Sequence, residues 1–108
     1  MGLADKPIYS SRADDLEFRE SIDAFVVSVA ERVDQLQDAE CSGDWGELAN
    51  LGRNLVRDAG RVGFDELARS ASVVAESCGS KDVELVRKRL VELTRISQCI
   101  RLGHRGAV

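Results

Sequence analysis

Four stretches of the sequence repeat apolar residues every three or four positions, and this spacing constrains the fold more than any other feature. An α-helix brings residues three and four positions apart onto one face, so each stretch predicts an amphipathic helix. No stretch shows the period-two alternation of a half-buried strand. The only proline, Pro7, precedes all four stretches. The helices are predicted at about residues 16–39, 44–63, 65–78 and 81–102.

Short polar links join the predicted helices. Gly43 can take the left-handed conformation that ends a helix, and Asp44 is a suitable N-cap with Glu47 in capping-box position. Phe64 is predicted to fill the end of the bundle at the next link, and Ser80 is predicted to cap the last helix. Because short links return the chain beside itself, the sequence predicts an all-α, antiparallel up-down-up-down four-helix bundle.

The bundle is predicted to span residues 14–102. Residues 1–13 before it predict an irregular lead-in, which Ile8 and Tyr9 could tie to the bundle. Residues 103–108 after it predict a short flexible tail. A chain of 108 residues is therefore expected to form one domain.

Acidic residues predominate in residues 1–47 and basic residues in residues 48–108, while the net charge of the chain is −4. Attraction between the two halves within one fold is a simpler interpretation than a nucleic-acid-binding face. Non-specific binding of nucleic acid also depends on neutralising phosphates, which disfavours a negatively charged chain. We therefore expect no nucleic-acid partner.

The residues that most often bind metals or act as nucleophiles are few and scattered. Cys41, Cys78 and Cys99 are odd in number and lack C-x-x-C spacing, which indicates small buried side chains in a reducing cytoplasm. The only histidine, His104, falls in the predicted tail, where we expect it to be solvated. A structural zinc site needs about four converging ligands, and phosphate-loop and dinucleotide patterns are absent. The sequence therefore predicts no metal site, no cofactor and no enzymatic activity.

Long apolar segments are also absent from the sequence. The apolar runs are only a few residues long, whereas a membrane-spanning helix needs about 20 residues. The first residues lack the apolar core of a signal peptide. We expect a cytoplasmic protein with no membrane partner.

The second predicted helix carries an unusual row of positive charge. Arg53, Arg57 and Arg61 are spaced one helical turn apart, so their side chains should line one face, and Asn50 extends that row. The apolar stripe of the helix lies on the other side, which predicts that the arginines are exposed. An ordinary basic surface paired with Asp58 and other acids is the alternative interpretation.

The same region contains three glycines, Gly52, Gly60 and Gly63. Glycine within a helix costs about 1 kcal/mol relative to alanine. This cost predicts a close backbone approach at these positions, or a helix end in the case of Gly63.

The apolar and small residues of the second helix form a further pattern. The pattern begins at Asp44-Trp45 and continues through Leu48, Leu51, Leu55, Ala59, Gly60, Gly63 and Phe64. It resembles the signature helix of the histidine-containing phosphotransfer (HPt) domain, which reads roughly His-x-Leu-Lys-Gly-x-Ala-x-x-x-Gly and often follows Asp-Trp. The likeness extends to a first helix with Phe25, Arg32 and Leu36 and to an alanine-rich third helix, and it covers about residues 14–100. It implies an HPt-like bundle of two-component phosphorelay signalling.

The active positions of the family are not retained in this chain. Arg53 stands where the family has its phosphorylated histidine, Val56 where it has lysine, and Arg57 where it has a small glycine that lets a receiver domain approach. A neutral imidazole can take a phosphoryl group, whereas a guanidinium remains protonated and has no lone pair for the attack. The resemblance therefore implies a degenerate member with no catalytic residue.

The resemblance also implies a partner, because HPt domains meet receiver domains whose phosphorylation pocket is acidic. Arginine pairs well with carboxylates and phosphates. We therefore predict that a receiver domain of a response regulator or a hybrid histidine kinase docks on Asn50, Arg53, Val56, Arg57, Gly60 and Arg61. The chain itself is expected to be a monomer or a weak homodimer. A stand-alone adaptor or homodimerisation module that uses another face remains an alternative, as does active phosphotransfer in a different register.

Overall fold

The computed structural model describes residues 6–80 and 82–106. Four α-helices contain most of them, namely α1 (Arg19–Ser42), α2 (Trp45–Arg61), α3 (Asp65–Ser77) and α4 (Val83–Gly106). Short 3-10 turns lie at Leu16–Phe18 and Cys78–Ser80. The described part of the chain contains no strand, so the all-α prediction is confirmed.

The four helices surround one apolar core. α1 packs against α2 and α4, and α3 also packs against α2 and α4, as in a four-helix bundle. Aliphatic side chains fill the interior, since the largest completely buried ones are Leu36, Leu48, Leu55, Leu67, Leu93, Ile100, Val29, Val74 and Val86. Burial of this apolar surface is the main force that holds the helices together.

Polar contacts fix α1 against α4. The Arg87 Nε donates to Glu40 Oε2 at 2.9 Å. The Gln37 Nε2 donates to Thr94 Oγ1 at 3.2 Å. The first pair joins an acid of the first half of the chain to a base of the second half, which is the kind of attraction that the charge distribution predicted.

The link between α1 and α2 agrees with the sequence in most respects. Gly43 has a left-handed φ of 73° and ends α1. Asp44 Oδ1 accepts a hydrogen bond from the Glu47 backbone N–H at 3.1 Å, so Asp44 is the N-cap of α2. The Asp44 backbone N–H donates to Ala39 O instead of to the Glu47 side chain, so only half of the capping box forms.

The start of α4 differs from the prediction. The Asp82 Oδ1 accepts from the Leu85 backbone N–H at 3.1 Å, and Asp82 therefore caps the helix. The Ser80 hydroxyl donates to Ser77 O at 2.7 Å and accepts from the Asp82 N–H at 3.3 Å. The prediction that Ser80 caps α4 is wrong, because Ser80 belongs to the 3-10 turn after α3.

The lead-in is anchored on one end of the bundle. The Ile8 backbone N–H donates to Cys99 O at 3.0 Å, and the Ser11 N–H donates to Gly63 O at 2.8 Å. Ile8 packs against the core, whereas Tyr9 remains 59% exposed. Ile8 therefore ties the lead-in to the bundle as predicted. The first five residues of the lead-in lie outside the described residues.

α4 is longer than the sequence predicted. The segment 103–108 was expected to be a flexible tail, but α4 continues to Gly106, and the last two residues lie outside the described part. A Cβ on Gly103 would lie 2.7 Å from Ile8 O, so glycine lets the lead-in backbone contact the helix directly. The prediction that His104 lies in a tail is therefore wrong, since it belongs to this helix, where its side chain is 36% exposed.

The three glycines of the α2 region have different surroundings. A Cβ on Gly52 would lie 3.3 Å from Ala75 Cβ and 3.4 Å from Ala71 O, so α2 and α3 approach closely there. Gly63 has a φ of 84° and lies just beyond α2, as predicted for a helix end. Nothing lies within 4 Å of a Cβ placed on Gly60, so the predicted close approach is wrong at that position.

Replacing Gly60 with alanine should therefore raise the free energy of unfolding by about 0.5–1 kcal/mol, since the helix gains propensity without a clash. Gly52→Ala is the matched control, and it should gain less because its methyl group crowds Ala75. Urea denaturation followed by circular dichroism measures both changes. An equal gain in the two variants would contradict the difference in packing.

Candidate functional site

The candidate site is the solvent-facing surface of α2. Its exposed members are Asn50, Arg53, Arg57, Gly60 and Arg61, and Val56 is half-buried at its edge. The arginines are one turn apart and project from the same side of the helix. This is the exposure that the spacing predicted.

The orientation of this surface is fixed by the opposite face of α2. Leu48, Leu55 and Ala59 are buried in the core, and Gly52 is buried against α3. Rotating α2 would expose these side chains to water and remove the close contact with α3. The arginine row therefore faces solvent because the apolar stripe cannot do so.

The carboxylate of Asp58 pairs with one arginine of the row and with an arginine of α1. Asp58 Oδ2 lies 3.0 Å from Arg32 Nη1 of α1, and Asp58 Oδ1 accepts from Arg57 Nε at 3.3 Å. The Arg32 side chain is 24% exposed and lies over the Phe25 ring at 5.9 Å, whereas that of Arg57 is 62% exposed. Exposed ion pairs contribute only about 0–1 kcal/mol. Arg57 can therefore leave Asp58 at small cost, because Arg32 continues to neutralise the carboxylate.

The alternative interpretation, an ordinary surface paired with nearby acids, describes only one of the three arginines. Within the described residues, Arg53 and Arg61 form no ion pair. Arg32 was not among the predicted site residues. Its role depends on how α1 lies against α2, which helical spacing within one segment does not specify.

A shallow groove adjoins the row between α1 and α2. It has a volume of about 340 Å³, and Arg61 and Arg32 line it together with the hydroxyl-bearing residues Ser21 and Ser28. The Ser28 hydroxyl already donates to a backbone carbonyl of its own helix. Asp58 also lines the groove and neutralises Arg32, so the net positive charge of the groove comes from Arg61, beside which a bound side chain has room.

The chemistry of this face is recognition of anions. Guanidinium groups donate several hydrogen bonds in a planar fork that suits carboxylates and phosphates. They do not act as nucleophiles at neutral pH. His104, which has the nucleophilic imidazole, lies on α4 beside Asp23 rather than on α2.

The cysteines differ from one another in exposure. Cys78 and Cys99 are buried, as predicted, but Cys41 is exposed, so the prediction of a buried side chain is wrong there. Cys41 is the second-last residue of α1. Burial raises the pKa of the Cys78 thiol, and the positive charge of Arg53 partly offsets that rise. The thiol form donates to Val74 O at 3.4 Å.

Two further features bear on ligands and membranes. Within the described ranges, no group of three or more His, Cys, Asp or Glu residues could hold a metal ion. None of the helices, as far as the structure describes them, has the length and apolarity required to cross a membrane.

In comparisons with known proteins, no family model, no curated protein and no solved structure matches this chain.

Proposed function

We propose that this chain is a pseudo-HPt module, which docks the receiver domain of a response regulator or a hybrid histidine kinase without itself carrying phosphate. The observation that supports the proposal is the exposed row of Arg53, Arg57 and Arg61 on α2. Of these three arginines, only Arg57 has an ion-pair partner within the described part of the chain, and that partner, Asp58, also pairs with Arg32. The row therefore offers unsatisfied donors to an acidic surface.

The proposal includes the antiparallel up-down-up-down topology. In support, His104 Nδ1 near the end of α4 lies 3.7 Å from Asp23 Oδ1 near the start of α1. At the other ends of the same helices, Arg87 of α4 pairs with Glu40 of α1. The cytoplasmic location is also part of the proposal, and three unpaired cysteines are consistent with a reducing compartment.

Docking would use charge-assisted hydrogen bonds. The acidic pocket of a receiver domain offers carboxylates, and each hydrogen bond to a charged group contributes about 1.5–3 kcal/mol. Arg57 would exchange Asp58 for a carboxylate of the partner, while Arg32 holds Asp58. Because these charges are exposed, the affinity should fall as salt is added.

The absence of phosphotransfer follows from the residue at the acceptor position. Arg53 projects from the place that the resemblance assigns to the phosphorylated histidine. Its guanidinium can hold an anion but cannot form the phosphoramidate. Such a module would occupy a receiver domain and compete with active phosphotransfer proteins.

Binding to a panel of purified receiver domains at low salt tests the proposal. The Arg53→Ala/Arg57→Ala variant should weaken binding roughly tenfold or more, because at least one charge-assisted hydrogen bond is lost. Lys88→Ala/Arg89→Ala is the charge-matched control on an exposed part of α4, and it should bind nearly as the wild type does. Isothermal titration calorimetry measures all three affinities.

Two results would contradict the proposal. One is failure of every receiver domain to bind at low salt, and the other is wild-type affinity in the α2 double variant. A stable homodimer in light scattering, unaffected by the α2 substitutions, would instead favour the stand-alone adaptor.

A further inference from the structure

A second concave surface lies at the end of the bundle where the lead-in meets α1 and α4. It is a groove of about 510 Å³. The accessible apolar lining comes from Ile8, Tyr9, Ala13 and Ile22, which lie over the buried Val26, Phe64 and Ile100. Arg19, Asp23 and His104 supply charged or titratable groups. Ligand pockets commonly have volumes of about 300–1,000 Å³, mostly apolar linings and a few polar groups. The arginine row of α2 takes no part in this groove.

The lead-in forms one side of the groove and is held in place by contacts with the bundle. The buried Ser10 donates its hydroxyl hydrogen to Val62 O. A Cβ on Gly63 would lie 2.6 Å from the Ser10 hydroxyl oxygen, and one on Gly103 would lie 2.7 Å from Ile8 O. Two glycines thus allow the lead-in to sit directly on the bundle, and side chains at either position would displace it.

The charged groups around the groove differ in whether they have a partner. Asp23 Oδ1 faces His104 Nδ1 at 3.7 Å. Arg19 is exposed and forms no ion pair with any residue that the structure describes. The positive charge of Arg19 is therefore available to a ligand, and it lies beside an apolar surface.

We propose that this groove binds a small amphipathic acid, with an aliphatic or aromatic body on the apolar lining and one anionic head group at Arg19. The apolar body would displace water from the groove, which is the source of most of the affinity. The head group would select acids over neutral analogues, because the guanidinium forms a charge-assisted hydrogen bond with a carboxylate. Asp23 would oppose the same head group and limit the affinity.

Octanoate and its uncharged analogue 1-octanol are suitable probes, and amide chemical shifts in NMR titrations report both the affinity and the location. Octanoate should shift the signals of groove residues and bind more tightly than 1-octanol. Arg19→Gln should weaken octanoate roughly fivefold or more and leave 1-octanol unchanged. Asp23→Asn should strengthen octanoate, which purely apolar adsorption does not predict.

Two control variants distinguish binding in the groove from adsorption elsewhere on the bundle. Arg69→Gln removes an exposed arginine from α3 and should leave octanoate binding unchanged. Ala13→Trp places a large side chain at an exposed position of the groove lining and should block both probes. Octanoate shifts outside the groove, or equal octanoate affinity in wild type and Arg19→Gln, would overturn the proposal.

Octanoate binding in the groove does not depend on receiver docking. The Arg53→Ala/Arg57→Ala variant should bind octanoate as the wild type does, because α2 arginines do not line the groove. Loss of octanoate binding in that variant, with its fold intact, would overturn the assignment of the head group to Arg19.

Discussion

Replacing Phe64 with alanine is expected to lower the free energy of unfolding by about 3–5 kcal/mol. Phe64 is 3% exposed, and its ring stacks on that of Phe25 with 5.6 Å between the ring centroids. The ring lies at the link between α2 and α3 and contacts α1, so its removal leaves a cavity where three parts of the fold meet. Urea denaturation followed by far-UV circular dichroism measures the loss.

Phe18→Ala provides a matched control for this substitution. Phe18 is only half-buried, and its ring has the guanidinium of Arg12 over it at 4.7 Å. Truncation there removes a partly solvated contact worth about 1 kcal/mol. If Phe64→Ala costs no more than Phe18→Ala, the role of Phe64 at the end of the bundle is contradicted.

The helices could be predicted because apolar periodicity is a local property of the sequence. The position of Phe64 followed from the same pattern, since a large apolar side chain in a short link between two helices can be buried only at the end of the core. Helix ends were harder to predict. Ser80 and Asp82 are both good caps, and the choice between them depends on how the chain leaves α3. α4 continues past Gly103, where the backbone of Ile8 lies against the helix, and a contact between residues so far apart in the sequence is not visible in a local pattern.

In the candidate site, too, the features set by local sequence could be predicted and those set by packing between helices could not. Exposure of the arginine row followed from helical spacing, which needs no knowledge of the other helices. The environment of Asp58 required the packing of α1 on α2, because Arg32 reaches it from a different helix. Gly60 was misjudged for the same reason, since a glycine signals close approach only if another element lies beside it. The groove between the lead-in, α1 and α4 could not be predicted either, because its lining comes from segments that are far apart in the sequence.

The Arg53→His/Val56→Lys/Arg57→Gly variant is expected to accept phosphate from a phosphorylated receiver domain, whereas the wild type should take none. These changes place at positions 53, 56 and 57 the residues that the resemblance assigns to the active positions. Residue 53 is exposed, so an imidazole there could reach a partner. The neutral imidazole nitrogen would attack the phosphorus, the bond to the aspartyl oxygen would break, and the carboxylate would leave with the electron pair. Acid-labile phosphate on this chain is the measured product.

Arg69→His, which places an imidazole on an exposed position of α3, is the control for non-specific transfer, and it should remain unlabelled. The glycine at position 57 costs about 1 kcal/mol, so circular dichroism must first show that the triple variant is folded. Label on the wild type would contradict the proposed loss of phosphotransfer. A folded triple variant that binds the receiver domain but stays unlabelled would contradict the register in which Arg53 occupies the acceptor position.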